Sequence, residues 1–329
     1  MRPSFKKKRL NTLTADSWLC PICCHPLLYY LRGTDLLYET STQSFDVYRC
    51  SFCGLEKILP PPTRSEISSF YPANYYSYGL RSAPKSFLRK LKEKLINGSY
   101  DKKTVRDWYY WLSLFFRRIF FHEFFEGIPL KRFGNHNFLD VGCGDGYVLS
   151  LLSNSGWETA GFEIGGQTKI NNIYYAPNLE EVNFAGRDFA CIRVWSVLEH
   201  VPDADSFLIT LKRLLSSRGV IVCALPNTSS LYARLFGRYW FNRDIPRHLT
   251  NYNPLNLTLL LDKHGLKIKT ISYQSQGGGV GSLEYWLKAK CKLNVSLNNI
   301  FMFLLLYPLD LICNFLKIGD YIVFIIERK

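Results

Sequence analysis

A chain of 329 residues with 47% hydrophobic and 21% charged residues fits one large or two modest domains around a substantial core, which excludes a disordered protein. Its formal charge of +14 points to anionic surroundings, whether nucleic acid, phospholipid headgroups or phosphorylated substrates, without choosing among them. Five of the ten cysteines crowd into residues 20–53, and the other five are scattered. Scattered cysteines in apolar strands such as Val220–Ala224 read as small buried hydrophobes in a reducing compartment. The basic stretch from Met1 to Arg9 is not followed by the apolar core of a signal peptide, so a cytoplasmic location is expected.

After a basic tail over residues 1–16, residues 17–62 hold two C-x-x-C knuckles, Cys20-Pro-Ile-Cys23 and Cys50-Ser-Phe-Cys53, separated by a polar, strand-like stretch. Each knuckle sets two thiolates on one tight turn, and two such turns supply the four soft ligands of tetrahedral zinc. Four thiolates leave no open coordination position, so the expected zinc is structural, stabilising a module too small for a core of its own. A redox dithiol, or ligation by Cys24 or His25, is the alternative.

Residues 63–132 begin with a tyrosine-rich run holding Tyr71, Tyr75, Tyr76 and Tyr78. Aromatic rings with hydroxyl tips suit sugars, since the faces stack while the tips hydrogen-bond. Packing of the cysteine module is the other reading. Residues 81–126 read as helix, with Lys and Arg among large apolar side chains and a break at Asn97-Gly98-Ser99. A basic helix rich in Trp and Phe suits a membrane surface, or else covers a sheet edge with its charges in water.

Residues 133–275 alternate strands and helices as a doubly wound α/β sheet requires. Strands are expected at 138–141, 159–163, 173–175, 189–195 and 219–225. The first runs into Gly142, Gly144 and Gly146, and the helical pattern Val148–Leu152 follows. Glycine tolerates positive φ and has no Cβ, so the chain turns sharply while a nucleotide cofactor lies against bare backbone. Asp140 precedes the turn and Glu163 ends the second strand. The fourth strand leads into Val197-Leu-Glu-His-Val-Pro202, so Asp140, Glu163, Glu199 and His200 are candidates for one crevice.

Residues 240–252 then place Arg247 and His248 in a loop. A guanidinium there would anchor a phosphate or carboxylate, or bridge to an acid of the protein itself. In residues 276–329 an apolar insertion of about 45 residues separates strand patterns at 266–273 and 321–326. Its apolar core is short beside the ~20 residues of a spanning helix, and Pro308 and Asp310 interrupt it. A helical hairpin covering the site, making an oligomer or dipping into a bilayer surface is expected.

The glycine turn, its flanking acids and the Glu-His motif together resemble the class I S-adenosylmethionine (SAM) methyltransferases. The cysteine ribbon, the tyrosine run and the Pro-Arg-His loop are similar to a subgroup among deoxysugar C-methyltransferases and methyltransferases of bacterial surface-polysaccharide synthesis. The resemblance implies a Rossmann-like seven-stranded sheet whose last two strands are antiparallel, with the ribbon at its N-terminal side and the hydrophobic insertion between those strands. It implies that SAM is held by Asp140 at its amino-acid end, by Gly142, Gly144 and Gly146, and by Glu163 at the ribose. It also places the tyrosines near the active site, with Tyr75, Tyr76 and Arg247 as substrate contacts. A histidine suits removal of an acceptor proton at neutral pH, so His200 is the expected base, Glu199 its orienting partner or a ligand of hydroxyl or metal, and His248 the second candidate. The expected acceptor is a nucleotide-linked or lipid-linked sugar or glycan precursor, with membrane-surface contact through the basic helices and the insertion. O- and C-methylation stay open. RNA methylation ranks below, since the Asn/Asp-Pro-Pro-Tyr signature of many base-amine methyltransferases is missing; a non-catalytic SAM-binding scaffold is the remaining alternative.

Overall fold

The computed structural model describes residues 19–72, 75, 124–125, 127–165, 171–275, 277–297 and 300–329. The basic tail, Tyr76, Tyr78 and nearly all of the expected basic aromatic helices lie outside them. The N-terminal module is an antiparallel ribbon of β1 (Leu27–Thr34), β2 (Ser44–Cys50) and β3 (Glu56–Ile58). A short helix α1 (Arg64–Ser69) follows, opened by a reciprocal cap between Thr63 and Glu66. Phe124 and Phe125, expected in helix, instead form strand β4, which pairs with β5 (Ile128–Pro129) across the turn at Gly127.

The catalytic half begins with β6 (Asn137–Val141), α2 (Tyr147–Ser153), β7 (Glu158–Glu163), β8 (Ile173–Tyr175) and β9 (Phe189–Trp195). Next come α3 (Ala204–Leu214), β10 (Leu215–Pro226), α4 (Leu231–Phe236), β11 (Thr250–Asn251), α5 (Pro254–Lys263) and β12 (Leu266–Gln274). The chain ends with α6 (Gly278–Trp286), α7 (Ile300–Phe315) and β13 (Tyr321–Arg328). The main sheet has the order β12-β13-β10-β9-β6-β7-β8. Side-chain alternation sorts its two faces. Leu139 and Val141 pack with Phe207, Leu208 and Leu211 of α3, while Phe138 packs with Leu149 and Leu152 of α2.

The last two strands pair antiparallel to each other, as expected. Only β13 runs against the sheet, because it pairs antiparallel with both β10 and β12. The crossover through α5 lays β12 parallel to β10 and one position out; β13 then slots between them. The insertion is a helix pair. Helix α6 is buried at Gly278–Ser282, where a Cβ on Gly279 would lie 2.6 Å from the Tyr232 ring and one on Gly281 2.4 Å from Phe241. Helix α7 is largely exposed, with Phe301, Leu305, Ile312 and Phe315 among its solvent-facing residues. Among the described residues no helix is long and apolar enough to cross a membrane.

The ribbon and the catalytic half share backbone pairing. β11, immediately after the Pro-Arg-His loop, adds to β3 as a fourth strand. Asn253 and Asn256, which cap α5 reciprocally, also donate their side-chain amides to the Cys53 carbonyl at 3.0 and 3.3 Å. Arg243 reaches back to Glu56 in a buried ion pair.

Candidate active site

The turn after β6 is shaped by its glycines. Gly142, Gly144 and Gly146 adopt φ of +73°, +55° and +74°. A Cβ on Gly142 would sit 2.5 Å from the Val197 side chain, so the turn and the Glu-His motif approach as closely as bare backbone allows. The Gly142 and Cys143 amides donate to the Phe162 carbonyl at 2.8 and 3.1 Å, tying the turn to β7. Glu163 at the end of β7 accepts from the Gly144 and Ile164 amides at 2.8 and 3.0 Å. Burial pushes its carboxyl above the usual range against those amide bonds.

Asp140 is buried, with Oδ1 accepting from the Arg193 guanidinium at 2.9 Å and Oδ2 meeting no partner among the described residues. Burial raises its pKa, and Arg193 opposes that rise. Both acids and the first two turn glycines line one cleft of ≈1450 Å³. That exceeds the roughly 300–1,000 Å³ of a single drug-sized pocket and leaves room for a second molecule beside a nucleotide. An orphaned carboxylate oxygen at the turn and a second carboxylate at the neighbouring strand end fit the ammonium and ribose ends of SAM.

Glu199, His200 and His248 line the same cleft, together with Tyr71 and Tyr75. His200 Nδ1 lies 3.0 Å from the Arg247 carbonyl and 2.9 Å from the Tyr71 hydroxyl. A carbonyl oxygen only accepts, so Nδ1 carries the proton and Nε2 the lone pair. His248 follows the same logic through the Asn242 carbonyl at 2.9 Å, and its Nε2 lies 3.9 Å from Asp244. The two rings stand edge to face with centroids 4.7 Å apart. Burial holds His200 well below its ordinary pKa, with His248 adding to the effect, and burial lowers His248 too. Both imidazoles are therefore neutral at pH 7. Glu199 is fully buried, neither oxygen has a hydrogen-bond partner among the described residues, and burial pushes its carboxyl up to about 8.

Arg247 does not serve the expected role of substrate anchor. Its guanidinium is fully buried between Asp35 (2.7 and 3.0 Å), Asp244 (Nε at 3.0 Å) and the Phe70 carbonyl (3.1 Å). All its donors are spent inside the protein, and it clamps the ribbon to the catalytic half. Tyr75, also expected to touch substrate, is nearly buried against Tyr71 and Tyr38, with ring centroids 5.0 and 5.6 Å away. The tyrosines thus pack the module and line the cleft at once. Arg193, Asp35, Asp244 and Tyr38 were not among the expected site residues. Arg193 had one usable signal: strand alternation places it level with Asp140 on the neighbouring strand.

Cys20, Cys23, Cys50 and Cys53 gather away from the cleft as a set that could hold a metal. Sγ separations of 3.6 Å (Cys20–Cys53) and 3.4 Å (Cys23–Cys50) are too long for a disulfide. They approach the roughly 3.8 Å edge of a tetrahedron with ~2.3 Å zinc–sulfur bonds. Gly54 and Cys24 follow the two knuckles at φ of +72° and +59°, so Cys24 turns the chain where Gly54 does. Cys24 is exposed and His25 stacks on Phe52, and neither belongs to the ligand set. Of the scattered cysteines, Cys143, Cys191, Cys223 and Cys313 are buried, and Cys291 is exposed.

Residues 105–271, just over half of the chain, match the family model described as "Methyltransferase domain". The chain belongs to that family, a class of transferases that draw on SAM. Two relatives are named ubiquinone biosynthesis O-methyltransferase. That of Ruegeria sp. (strain TM1040) is 27% identical over 41% of this chain and 61% of its own length. That of Bartonella quintana (strain Toulouse) is 27% identical over 44% of this chain and 65% of its own. The chain thus spans less than two thirds of these relatives. A SAM-dependent methyltransferase from Archaeoglobus fulgidus aligns at TM-score 0.38 and 18% identity, over 59% of this chain and 86% of its own. The O-methyltransferase of a polyketide synthase of Brevibacillus brevis aligns at TM-score 0.38 and 16% identity, over 58% and 66%.

Proposed function

We propose that this protein methylates a hydroxyl of a sugar or glycan precursor, nucleotide-linked or lipid-linked, in the cleft between the glycine turn and Tyr71. The observation that carries the reading is that one cleft holds the cofactor residues Asp140, Gly142, Gly144 and Glu163 beside Glu199, His200 and His248. SAM, when bound, supplies an electrophilic methyl on a sulfonium. Asp140 Oδ2 would take its ammonium and Glu163 its ribose hydroxyls. His200, neutral and with Nδ1–H directed at the Arg247 carbonyl, keeps Nε2 able to accept the proton that the acceptor oxygen loses as it attacks. Tyr71 steadies that ring, and Tyr75 packs edge-on against Tyr71 behind it.

The relatives' names favour oxygen over carbon as the methylated atom, and they support a second reading in which the acceptor is a phenol. We assign structural zinc to Cys20, Cys23, Cys50 and Cys53. We also propose a peripheral membrane contact through α7, whose exposed Phe301, Leu305 and Phe315 lie in a stretch with Lys288, Lys290, Lys292 and Lys317. The test is transfer of labelled methyl from SAM to separate pools of nucleotide sugars, membrane lipids, phenolic quinone precursors and RNA. Label in the sugar or lipid pools is expected. Label in phenols alone selects the second reading, and label in RNA alone overturns both.

A further inference from the structure

We infer that Glu199, His200 and His248 form a divalent cation site at the floor of the cleft, on which an acceptor with two adjacent oxygens is chelated. The inference rests on the acceptor binding where the proposed function puts it, and changes the agent that activates its hydroxyl.

Three observations converge on these residues. One ligand atom from each of the three lies within 4.8 Å of the others. Side-chain rotation of ordinary size brings such a set to the ~3 Å separations that metal–ligand bonds of about 2.1 Å impose. Both imidazoles direct Nδ1 at a backbone carbonyl, His200 at Arg247 and His248 at Asn242, each at 3.0 Å or less. That outer bond fixes the tautomer and turns Nε2 into the donor, which is how metal-bound histidines are held. Finally, both carboxylate oxygens of Glu199 are buried without a hydrogen-bond partner among the described residues. Buried carboxyl groups left bare are rare, and a cation would take the place of the proton on Glu199.

The donor set suits a first-row divalent ion. Two imidazoles and one carboxylate leave at least one open position in a tetrahedral shell and three in an octahedral one. Adjacent acceptor oxygens fill such positions, as the vicinal hydroxyls of a sugar would. The cation lowers the pKa of the bound hydroxyl, whose proton leaves to water. The oxygen's electron pair then forms the new O–CH3 bond, and the pair of the broken S–CH3 bond stays on sulfur. His200 and His248 act here as ligands, and neither has to gain a proton.

The experiment is a Co2+ titration of the zinc-loaded protein, followed by visible absorption and by paramagnetic shifts of histidine ring protons. One equivalent is expected to bind with nitrogen–oxygen bands, shifting two histidines and raising no thiolate charge-transfer band. Glu199→Gln keeps the shape and should weaken binding at least about tenfold while the zinc content stays unchanged. No Co2+ binding beyond the ribbon, or equal affinity in Glu199→Gln, overturns the site. Methyl transfer that persists in chelator-treated protein with ribbon zinc intact also overturns it, and leaves His200 as the base. Co2+ bound as expected with no methyl reaching a sugar keeps the site and removes the acceptor reading.

Discussion

Replacing Asp35 by alanine should damage stability and turnover together. In the folded protein its two oxygens accept from both Arg247 Nη atoms, from the Leu37, Tyr38 and Thr40 amides and from the Thr40 hydroxyl. The ion pair is fully buried on both sides. Asp35→Ala leaves Arg247 with one carboxylate for a guanidinium built to meet two, and strips the three amides of their acceptor. Breaking one side of a buried pair costs about 3–5 kcal/mol, a large share of the ~5–15 kcal/mol by which most domains are stable. Urea unfolding at pH 7, comparing midpoint and slope, reads this directly. A loss under about 1 kcal/mol would refute the clamp. Because the Arg247 carbonyl receives the His200 Nδ1 proton, the variant should also lose turnover while keeping SAM affinity. The pH dependence has a definite sign. Burial alone would raise the Asp35 pKa, but Arg247, Thr40 and the Tyr38 amide outweigh it and hold it well below the carboxylate range. The stabilisation is therefore complete above the unfolded value near ~3.9 and is lost as pH falls from there toward the folded value. Asp35→Asn should lose stability at pH 7 and close the gap to wild type on acidification.

Four further outcomes follow from the site. Glu163→Ala should weaken SAM binding at least about tenfold by calorimetry, since it removes charge-assisted bonds of ~1.5–3 kcal/mol each; equal affinity would overturn the ribose assignment. His200→Ala should lower kcat far more than SAM affinity, and a variant as active as wild type would remove His200 from the chemistry. Cys20→Ser with Cys50→Ser should release one zinc per chain by elemental analysis and expose the ribbon to protease; a metal-free wild type would remove the zinc assignment. Phe301→Ser with Phe315→Ser should reduce co-flotation with anionic vesicles while leaving SAM binding intact, and undiminished flotation would exclude α7 as the contact.

The parts of this protein legible in its sequence are those governed by short-range rules. Positive φ at three alternate glycines, an acid at each of two strand ends, and thiolate pairs spaced for one turn are local requirements, and local spacing reveals them. The same holds for most strand positions, because alternation and apolar runs report burial directly. The position of β13 is a tertiary matter: it slots between β10 and β12, and no property of residues 321–328 encodes which neighbours it takes.

The roles of Arg247, Asp35 and Tyr71 were decided by tertiary contacts. An arginine in a loop has the same chemistry whether it meets a ligand phosphate or a buried aspartate 212 residues away. Only the docking of the ribbon through β11 placed Asp35 against it. Likewise, Glu199 and His200 announce a site on their own, but their meeting with His248 is a product of the loop folding back over the end of β9. The sequence by itself determined a cofactor turn, a four-cysteine module and an α/β order. Which side chains are spent on holding the protein together, and which remain for chemistry, was settled by burial and pairing between segments far apart in the chain.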